Sequence, residues 1–215
     1  MKRGYGMINI IIVDDHPVVR RGLKQILVEE PDMKVVGEAG SAQEAFTIIR
    51  TTDCDAVILD ISLPGVSGVE ILKQLKYEYK NLPVLILSVY SEEQYAIRVI
   101  KAGASGYLTK ESAPEELVKA IRKITSGGKY IGSALADMLV ADMETSGKPL
   151  HEKLSDREFQ IMRMIAQGKP IKTIGEELYL SEKTVSTYRT RLLEKMNMHT
   201  NAEIINYALK NKLID

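Results

Sequence analysis

Five polar residues, Asp14, Asp15, Asp60, Ser88 and Lys110, occupy positions suited to chemistry. Each ends or follows a short apolar run that reads as a buried strand. Asp14 and Asp15 follow Ile8–Val13, Asp60 closes the run from Ala56 to Leu59, Ser88 ends Pro83-Val-Leu-Ile-Leu, and Lys110 stands just past Gly106–Leu108. In an open parallel sheet the carboxyl ends of the strands form the binding crevice. Three carboxylates gathered there repel unless a cation sits among them. Hard oxygen donors with open positions suit Mg²⁺, which keeps water and takes a phosphate oxygen. The Ser88 hydroxyl and the Lys110 ammonium would bind the remaining oxygens of a phosphoryl group. Asp60 is then a nucleophile that forms an aspartyl phosphate, the metal stabilising the transferring group. The blander account makes them strand-end caps with Lys110 compensating charge. It explains each residue alone better than it explains five at strand ends.

The elements that must position these groups alternate strand and helix over the first 128 residues. Val19, Leu23, Ile26 and Leu27 fall at i, i+4, i+7 and i+8, an amphipathic helix. Met33 to Gly37 is a second strand, and Ala42, Ala45, Phe46 and Ile49 mark a second helix. A turn signal at Leu63-Pro64-Gly65 and a helix across Val69, Leu72 and Leu75 follow the Asp60 strand. A fourth helix runs from about Ser91 to Ala102, and Leu117, Ala120, Ile121 and Ile124 mark a fifth. Five such repeats predict an α/β unit: a doubly wound, five-stranded parallel sheet of flavodoxin-like type. No strand is followed by a G-x-G-x-x-G loop, which argues against dinucleotide binding.

Composition is that of a soluble two-domain chain: 215 residues, 45% hydrophobic, 27% charged, net charge zero. The part from residue 151 carries 11 Lys+Arg against 9 Asp+Glu, too slight an excess to argue for nucleic acid. A single cysteine, Cys54, excludes an internal disulfide framework and fits a reducing compartment. The longest apolar stretch, Met7 to Val13, is too short to span a bilayer, and no secretory signal precedes it. A cytoplasmic protein is expected, with Met7 an alternative start.

Asp14-Asp15, Asp60, Ser88 and Lys110 at these spacings resemble the receiver domain of bacterial two-component response regulators. Asp15-His16-Pro17, Arg20 to Leu23 and Leu63-Pro64-Gly65 point to the NarL/FixJ branch. The resemblance implies that Asp60 accepts phosphate from a histidine kinase. It implies Mg²⁺ on Asp15, Asp60 and the main-chain carbonyl of Ser62, with Asp14 nearby or acting through water. Ser88 and Tyr107 match the family's switch pair, whose hydroxyl moves toward the phosphate while the ring turns inward. Glu111 stands where many receivers carry a cis proline, a departure common in this branch. His16 is isolated from any other His or Cys, so a lid or helix-capping role is expected and the metal set omits it.

Gly127-Gly128 breaks the fifth helix and Ser146-Gly147-Lys148-Pro149 is a loop signal. A tether over 129–152, with a short helix from Ala134 to Met143, therefore separates a receiver at 7–128 from a tail at 153–215. The tail reads as a small all-α, four-helix unit. Ser155-Asp-Arg-Glu158 is a capping box for a helix that runs to Gly168 with Phe159, Met162 and Ala166 on one face. A short helix from Pro170 to Leu178 and a longer one capped by Ser181 make a helix-turn-helix. On the longer helix Val185, Tyr188, Leu192 and Met196 share an inward face, leaving Lys183, Ser186, Thr187, Thr190 and Arg191 opposite. Short hydroxyls among basic side chains fit base-edge contacts framed by phosphate contacts, although a solvated face has similar composition.

Leu154-Ser-Asp-Arg-Glu158, Gly168, Ile174, Leu178, Ser181, Lys183-Thr-Val185 and Lys195-Met196 resemble the LuxR-type helix-turn-helix. That resemblance implies base readout by Ser186, Thr187 and Thr190, and phosphate contacts from Lys183, Arg189 and Arg191. It also implies dimerisation on DNA through the last helix, with Ala202, Ile205, Ala208 and Leu209 on one stripe. Gly175 replaces the usual alanine, which should loosen its helix, and Tyr188 replaces a frequent histidine. The combined expectation is a phosphorylation-controlled, DNA-binding transcription regulator rather than an enzyme. A signalling enzyme is disfavoured by a tail with no nucleophile–base pair. A phosphorylation-independent regulator with a vestigial receiver is disfavoured by the intact Asp14, Asp15, Lys110 set.

Overall fold

The computed structural model describes residues 6–63, 66–89, 93–132, 135–137, 139–140, 149–211 and 213–214. Contacts divide the chain into two compact units, 1–136 and 137–215.

The first unit is built on five parallel strands in the order β2-β1-β3-β4-β5. They are β1 (Ile8–Val13), β2 (Met33–Ala39), β3 (Ala56–Asp60), β4 (Val84–Ser88) and β5 (Gly106–Thr109). Every residue of β3 and β4 is buried, as a strand covered by helices on both faces requires. Ile10, Ile12, Ile58, Leu85 and Leu87 share one core cluster with α1 (Pro17–Val28) and α5 (Ala113–Thr125). The alternate residues Ile11, Val57 and Leu59 are equally buried and belong to the opposite face, where α2 (Ala42–Thr51), α3 (Gly68–Glu78) and α4 (Glu93–Lys101) lie. The α/β prediction and its doubly wound sheet are borne out.

Most boundaries agree with the sequence pattern to within two residues. Among the strands the largest difference is β2, which continues past Gly37 to Ala39. Its register against β1 slips between Ile10 and Ile11, and the added residues carry the Ala39 carbonyl to the Asp14 N–H at 3.0 Å. Gly37 interrupts the apolar run for a packing reason, since a Cβ there would lie 2.5 Å from the Ile48 side chain. The turn residues Pro64 and Gly65, the start of the fourth helix at Ser91, and the Ser146-Gly147-Lys148 loop lie outside the described residues. Of the expected tether helix, residues 135–137 and 139–140 are helical, and its remainder is likewise outside them.

The second unit contains a 3₁₀ turn (Leu150–Lys153) and α6 (Asp156–Ala166), α7 (Ile171–Leu178), α8 (Glu182–Met196) and α9 (Asn201–Lys210). Both halves of the Ser155/Glu158 capping box form. All eleven residues of α6 are buried, not one stripe, because α6 packs against each of the other three helices. Its two arginines are paired: Arg157 donates to Gln160 and to the Leu178 carbonyl, and Arg163 to the Leu213 carbonyl. On α8 the buried face is Val185, Leu192, Leu193 and Met196, with Tyr188 only half-buried at its edge.

Gly175 has a reason beyond helix propensity. An ideal Cβ there would lie 2.7 Å from the Leu180 carbonyl oxygen, so its absence lets the α7–α8 turn close on the helix. That turn is held by the Leu180 N–H donating to the Gly175 carbonyl at 2.8 Å. Alanine would gain about 1 kcal/mol of helix propensity but cost about 1–3 kcal/mol of overpacking against backbone. Gly175→Ala should therefore lower the stability of the helical unit, by up to about 2 kcal/mol. Urea unfolding monitored by far-ultraviolet circular dichroism checks the sign, and a net gain would show that the turn relaxes freely.

Candidate functional site

The carboxyl edge of the sheet brings the predicted groups together. β3 delivers Asp60 and β1 delivers Asp14, each 1% exposed, and the strands that carry them are adjacent. Lys110 leaves β5 and reaches back, its Nζ lying 2.7 Å from Asp14 Oδ2 and 2.7 Å from Asp60 Oδ2. Its own N–H donates to the Ser88 carbonyl at 2.7 Å, so the exits of β4 and β5 are tied at the crevice. Ser88 itself is fully buried, and the Ser62 N–H donates to Asp60 Oδ1 at 3.0 Å. Tyr107 on β5 is also fully buried, so its ring lies inside.

Electrostatics divides the site into two roles. Burial raises the Asp60 carboxyl above the usual carboxylate value and the neighbouring Asp14 adds to this, while Lys110 and the Ser62 N–H oppose it. Burial pulls Lys110 down, but the Asp60 and Asp14 carboxylates outweigh it, so its ammonium is held above the ordinary lysine value. Lys110 is thus charged at any physiological pH, and Asp60 is a carboxylate whose charge is costly. Cys54, just before β3, is pushed up to about 11, first by burial and then by Asp55 and Asp53. It is an inert thiol near neutrality.

His16 corrects one expectation. It occupies the position before α1, yet its side chain caps nothing. Nδ1 instead lies 2.8 Å from Asp15 Oδ1 and 3.3 Å from Asp14 Oδ1, and the backbone N–H of His16 donates to Asp14 Oδ1 at 2.8 Å. One donor atom each from Asp14, Asp15, His16 and Asp60 lie within 4.8 Å of one another. The sequence offered no second nitrogen or sulfur to flag His16; the turn between β1 and α1 folds it back. Arg20, one helical turn into α1, was also missed as a brace and donates to the Asp14 carbonyl at 2.6 Å.

In the second unit, Lys183, Ser186, Thr187, Thr190 and Arg191 are exposed along α8. Thr187 and Thr190 donate their hydroxyls to the carbonyls of Lys183 and Ser186, leaving their oxygens to accept. Arg189 is half-buried, its Nε donating to Asn201 Oδ1 at 2.7 Å, which sets it apart from the open face. On α9 the expected stripe divides: Ala208 joins Ile204 in the core, whereas Ala202 and Leu209 are exposed and Ile205 half-buried.

Residues 10–122 match the response regulator receiver domain, and residues 152–208 match the bacterial regulatory proteins of the luxR family. This chain is a response regulator. It belongs to the NarL/FixJ-type regulators that join a receiver to a LuxR-type DNA-binding domain. Response regulator UvrY of Escherichia coli (strain K12) is 39% identical over 96% of both chains. Response regulator GacA of Pseudomonas aeruginosa is 34% identical over 97% of this chain and 99% of its own. The Salmonella typhimurium response regulator RcsB gives a TM-score of 0.59 at 26% identity, covering 94% of this chain and 98% of that one. A structure of the RcsB–DNA complex also matches, with TM-score 0.59, 25% identity and the same coverage. No helix among the described residues of this regulator is long and apolar enough to cross a membrane.

The raised Asp60 carboxyl has a consequence for stability. With the folded value above the unfolded one, the folded chain holds the proton through the window between them. Stability gained that way is present in acid and is lost as pH rises through the folded value. Asp60→Asn removes the buried charge, keeps the shape and leaves Lys110 paired with Asp14. At pH 7 it should raise Tm by a few degrees, a gain that vanishes as acid protonates Asp60 in the wild type. Calorimetry across pH checks this; an unchanged or lower Tm at pH 7 refutes it.

Proposed function

We propose that Asp60 accepts a phosphoryl group from a histidine kinase and that the modification controls dimerisation and DNA binding, and so transcription. The carrying observation is the Lys110 ammonium held 2.7 Å from both the Asp60 and Asp14 carboxylates at the sheet's carboxyl edge. An Asp60 oxygen attacks phosphorus as the phosphorus–nitrogen bond to the kinase histidine breaks. Lys110 then meets a phosphoryl oxygen in place of the lost carboxylate charge, and the Ser88 hydroxyl approaches another. Tyr107, already inside, occupies the space that the moving hydroxyl leaves.

The donor set fits a hard divalent cation, because three carboxylates converge and a single ammonium cannot neutralise them. Asp14, Asp15, Asp60 and the Ser62 carbonyl would hold Mg²⁺. When bound, it supplies charge neutralisation for the transferring phosphoryl. A phosphorylation-independent regulator with a vestigial receiver is not favoured, since a vestigial site gives no reason to keep so costly a cluster buried.

The output side follows the exposed face of α8. Ser186, Thr187 and Thr190 read base edges, and Lys183, Arg189 and Arg191 bind phosphate, Arg189 through the guanidinium nitrogens that Asn201 leaves open. Ala202, Ile205 and Leu209 supply an apolar surface for a homodimer on two half-sites about one helical turn apart. The domains are the receiver at 7–128, the tether at 129–152 and the DNA-binding unit at 153–215, working with kinase and DNA in the cytoplasm. The regulator is not otherwise an enzyme, its only catalysis being its own phosphoryl transfer and dephosphorylation.

Adding Mg²⁺ with beryllofluoride or acetyl phosphate should raise dimer content and DNA affinity in wild type, by about tenfold or more, and leave Asp60→Ala unchanged. Sedimentation and fluorescence anisotropy read both quantities. Equal DNA binding in all conditions would overturn phosphorylation control while leaving the DNA-binding unit intact. Arg191→Ala should weaken binding to all sequences alike and reduce the slope of log affinity against log salt by about one. Loss of discrimination at one base position with an unchanged slope would reassign Arg191 to base readout.

A further inference from the structure

The sheet's opposite edge carries a second charged feature that phosphoryl transfer does not use. At the amino ends of β4 and β5 a cleft of about 390 Å³ is lined by Lys76, Lys80 and Lys129 with Gly103, Gly127 and Gly128. Lys76 comes from the last turn of α3, Lys80 from just after it, and Lys129 from just beyond α5. No Asp or Glu lines the cleft. Among the described residues no carboxylate pairs with any of these lysines; the nearby Glu78 is turned to Arg50 and Gln74.

Two of the ammoniums touch backbone. Lys76 Nζ donates to the Leu82 carbonyl at 2.6 Å, and Lys129 Nζ donates to the Ala104 carbonyl. One carbonyl takes one of the three protons on each nitrogen and leaves two directed elsewhere. Both lysines lie below the ordinary value, Lys76 through burial and then the Lys129 charge, Lys129 through burial. Like charges held together and partly desolvated cost stability, and a bound anion relieves that cost. Gly103, at φ +104°, keeps the wall thin, since a Cβ there would press on the Lys76 side chain at 3.2 Å.

We propose that this cleft is a binding site for a small anion carrying two or more phosphate groups, separate from the Asp60 crevice. Three ammoniums call for about three negative charges, more than one phosphate carries near neutrality. The volume suits a small molecule rather than a protein segment. Lys80 and Lys129 are exposed and Lys76 lies half-buried, so the inner phosphate meets Lys76 and the outer one meets Lys80 and Lys129.

The test uses the full-length chain without Mg²⁺, titrated with sodium pyrophosphate and followed by amide NMR. The expected result is saturable shifts at Gly103, Gly127 and Gly128, with Kd on the order of 0.1 mM and orthophosphate binding more weakly. Lys80→Gln with Lys129→Gln, both at exposed positions, should weaken binding by about a hundredfold while thermal unfolding confirms the fold. Lys183→Gln with Arg191→Gln, in the DNA-binding unit, should leave those three shifts unchanged. Three results would overturn the proposal: an identical titration in the Lys80/Lys129 variant, shifts confined to α8, or equal shifts from sulfate at matched ionic strength.

Discussion

The receiver is organised by a repulsion. Asp14 and Asp60 are both fully withdrawn from water on neighbouring strands, and only Lys110 stands between them. Two buried carboxylates are tolerable when a cation is held between them with good geometry, and removing that partner would leave an uncompensated charge worth several kcal/mol. The rest of the unit holds this geometry. Lys110 is fixed by its own backbone bond to Ser88, Asp14 by bonds from His16 and Arg20, and Asp60 by Ser62. The braces come from the exits of β1, β3, β4 and β5, which is why the site needs the strands held side by side.

That dependence explains how much of the site was legible. Five apolar runs ending in polar residues are a pattern of period and burial, and the parallel topology that gathers them follows from the alternation with helices. Asp14, Asp15, Asp60, Ser88 and Lys110 were therefore readable before any coordinates. His16 and Arg20 were not readable in their actual roles, because both act through the turn geometry after β1. A turn that folds a side chain back over the acids leaves no periodic trace. The extension of β2 was hidden for a related reason: Gly37 breaks the apolar run so that Ile48 can pack there.

The helical unit shows the same division. Its capping residues, Ser155, Ser181 and the turn between α7 and α8, were legible because capping is local chemistry. The complete burial of α6 was not, since five polar residues on an eleven-residue helix read as a solvated face. Arg157, Glu158 and Arg163 find partners remote in sequence, the Leu178 carbonyl, Lys195 and the Leu213 carbonyl. A helical wheel sees neighbours on one helix and is blind to partners on others. The same blindness hid the division of α9, where Ile204 rather than Leu209 supplies the core contact.

A net charge of zero conceals a strong polarity within the receiver. At the carboxyl edge of the sheet, the carboxylates of Asp14, Asp15 and Asp60 gather around Lys110. At the amino edge three lysines line a cleft with no acid among its lining residues, and Lys76 and Lys129 donate to carbonyls. Neither arrangement is favourable in isolation, because each concentrates like charge where water is partly excluded. Opposite like-charge clusters at the two ends of the same strands do not serve packing, which apolar side chains would serve better. β4 and β5 run from one cluster to the other, ending in Ser88 and leading to Lys110. A ligand bound at the proposed cleft would therefore sit at the amino ends of the strands whose carboxyl ends lead into the Asp60 crevice.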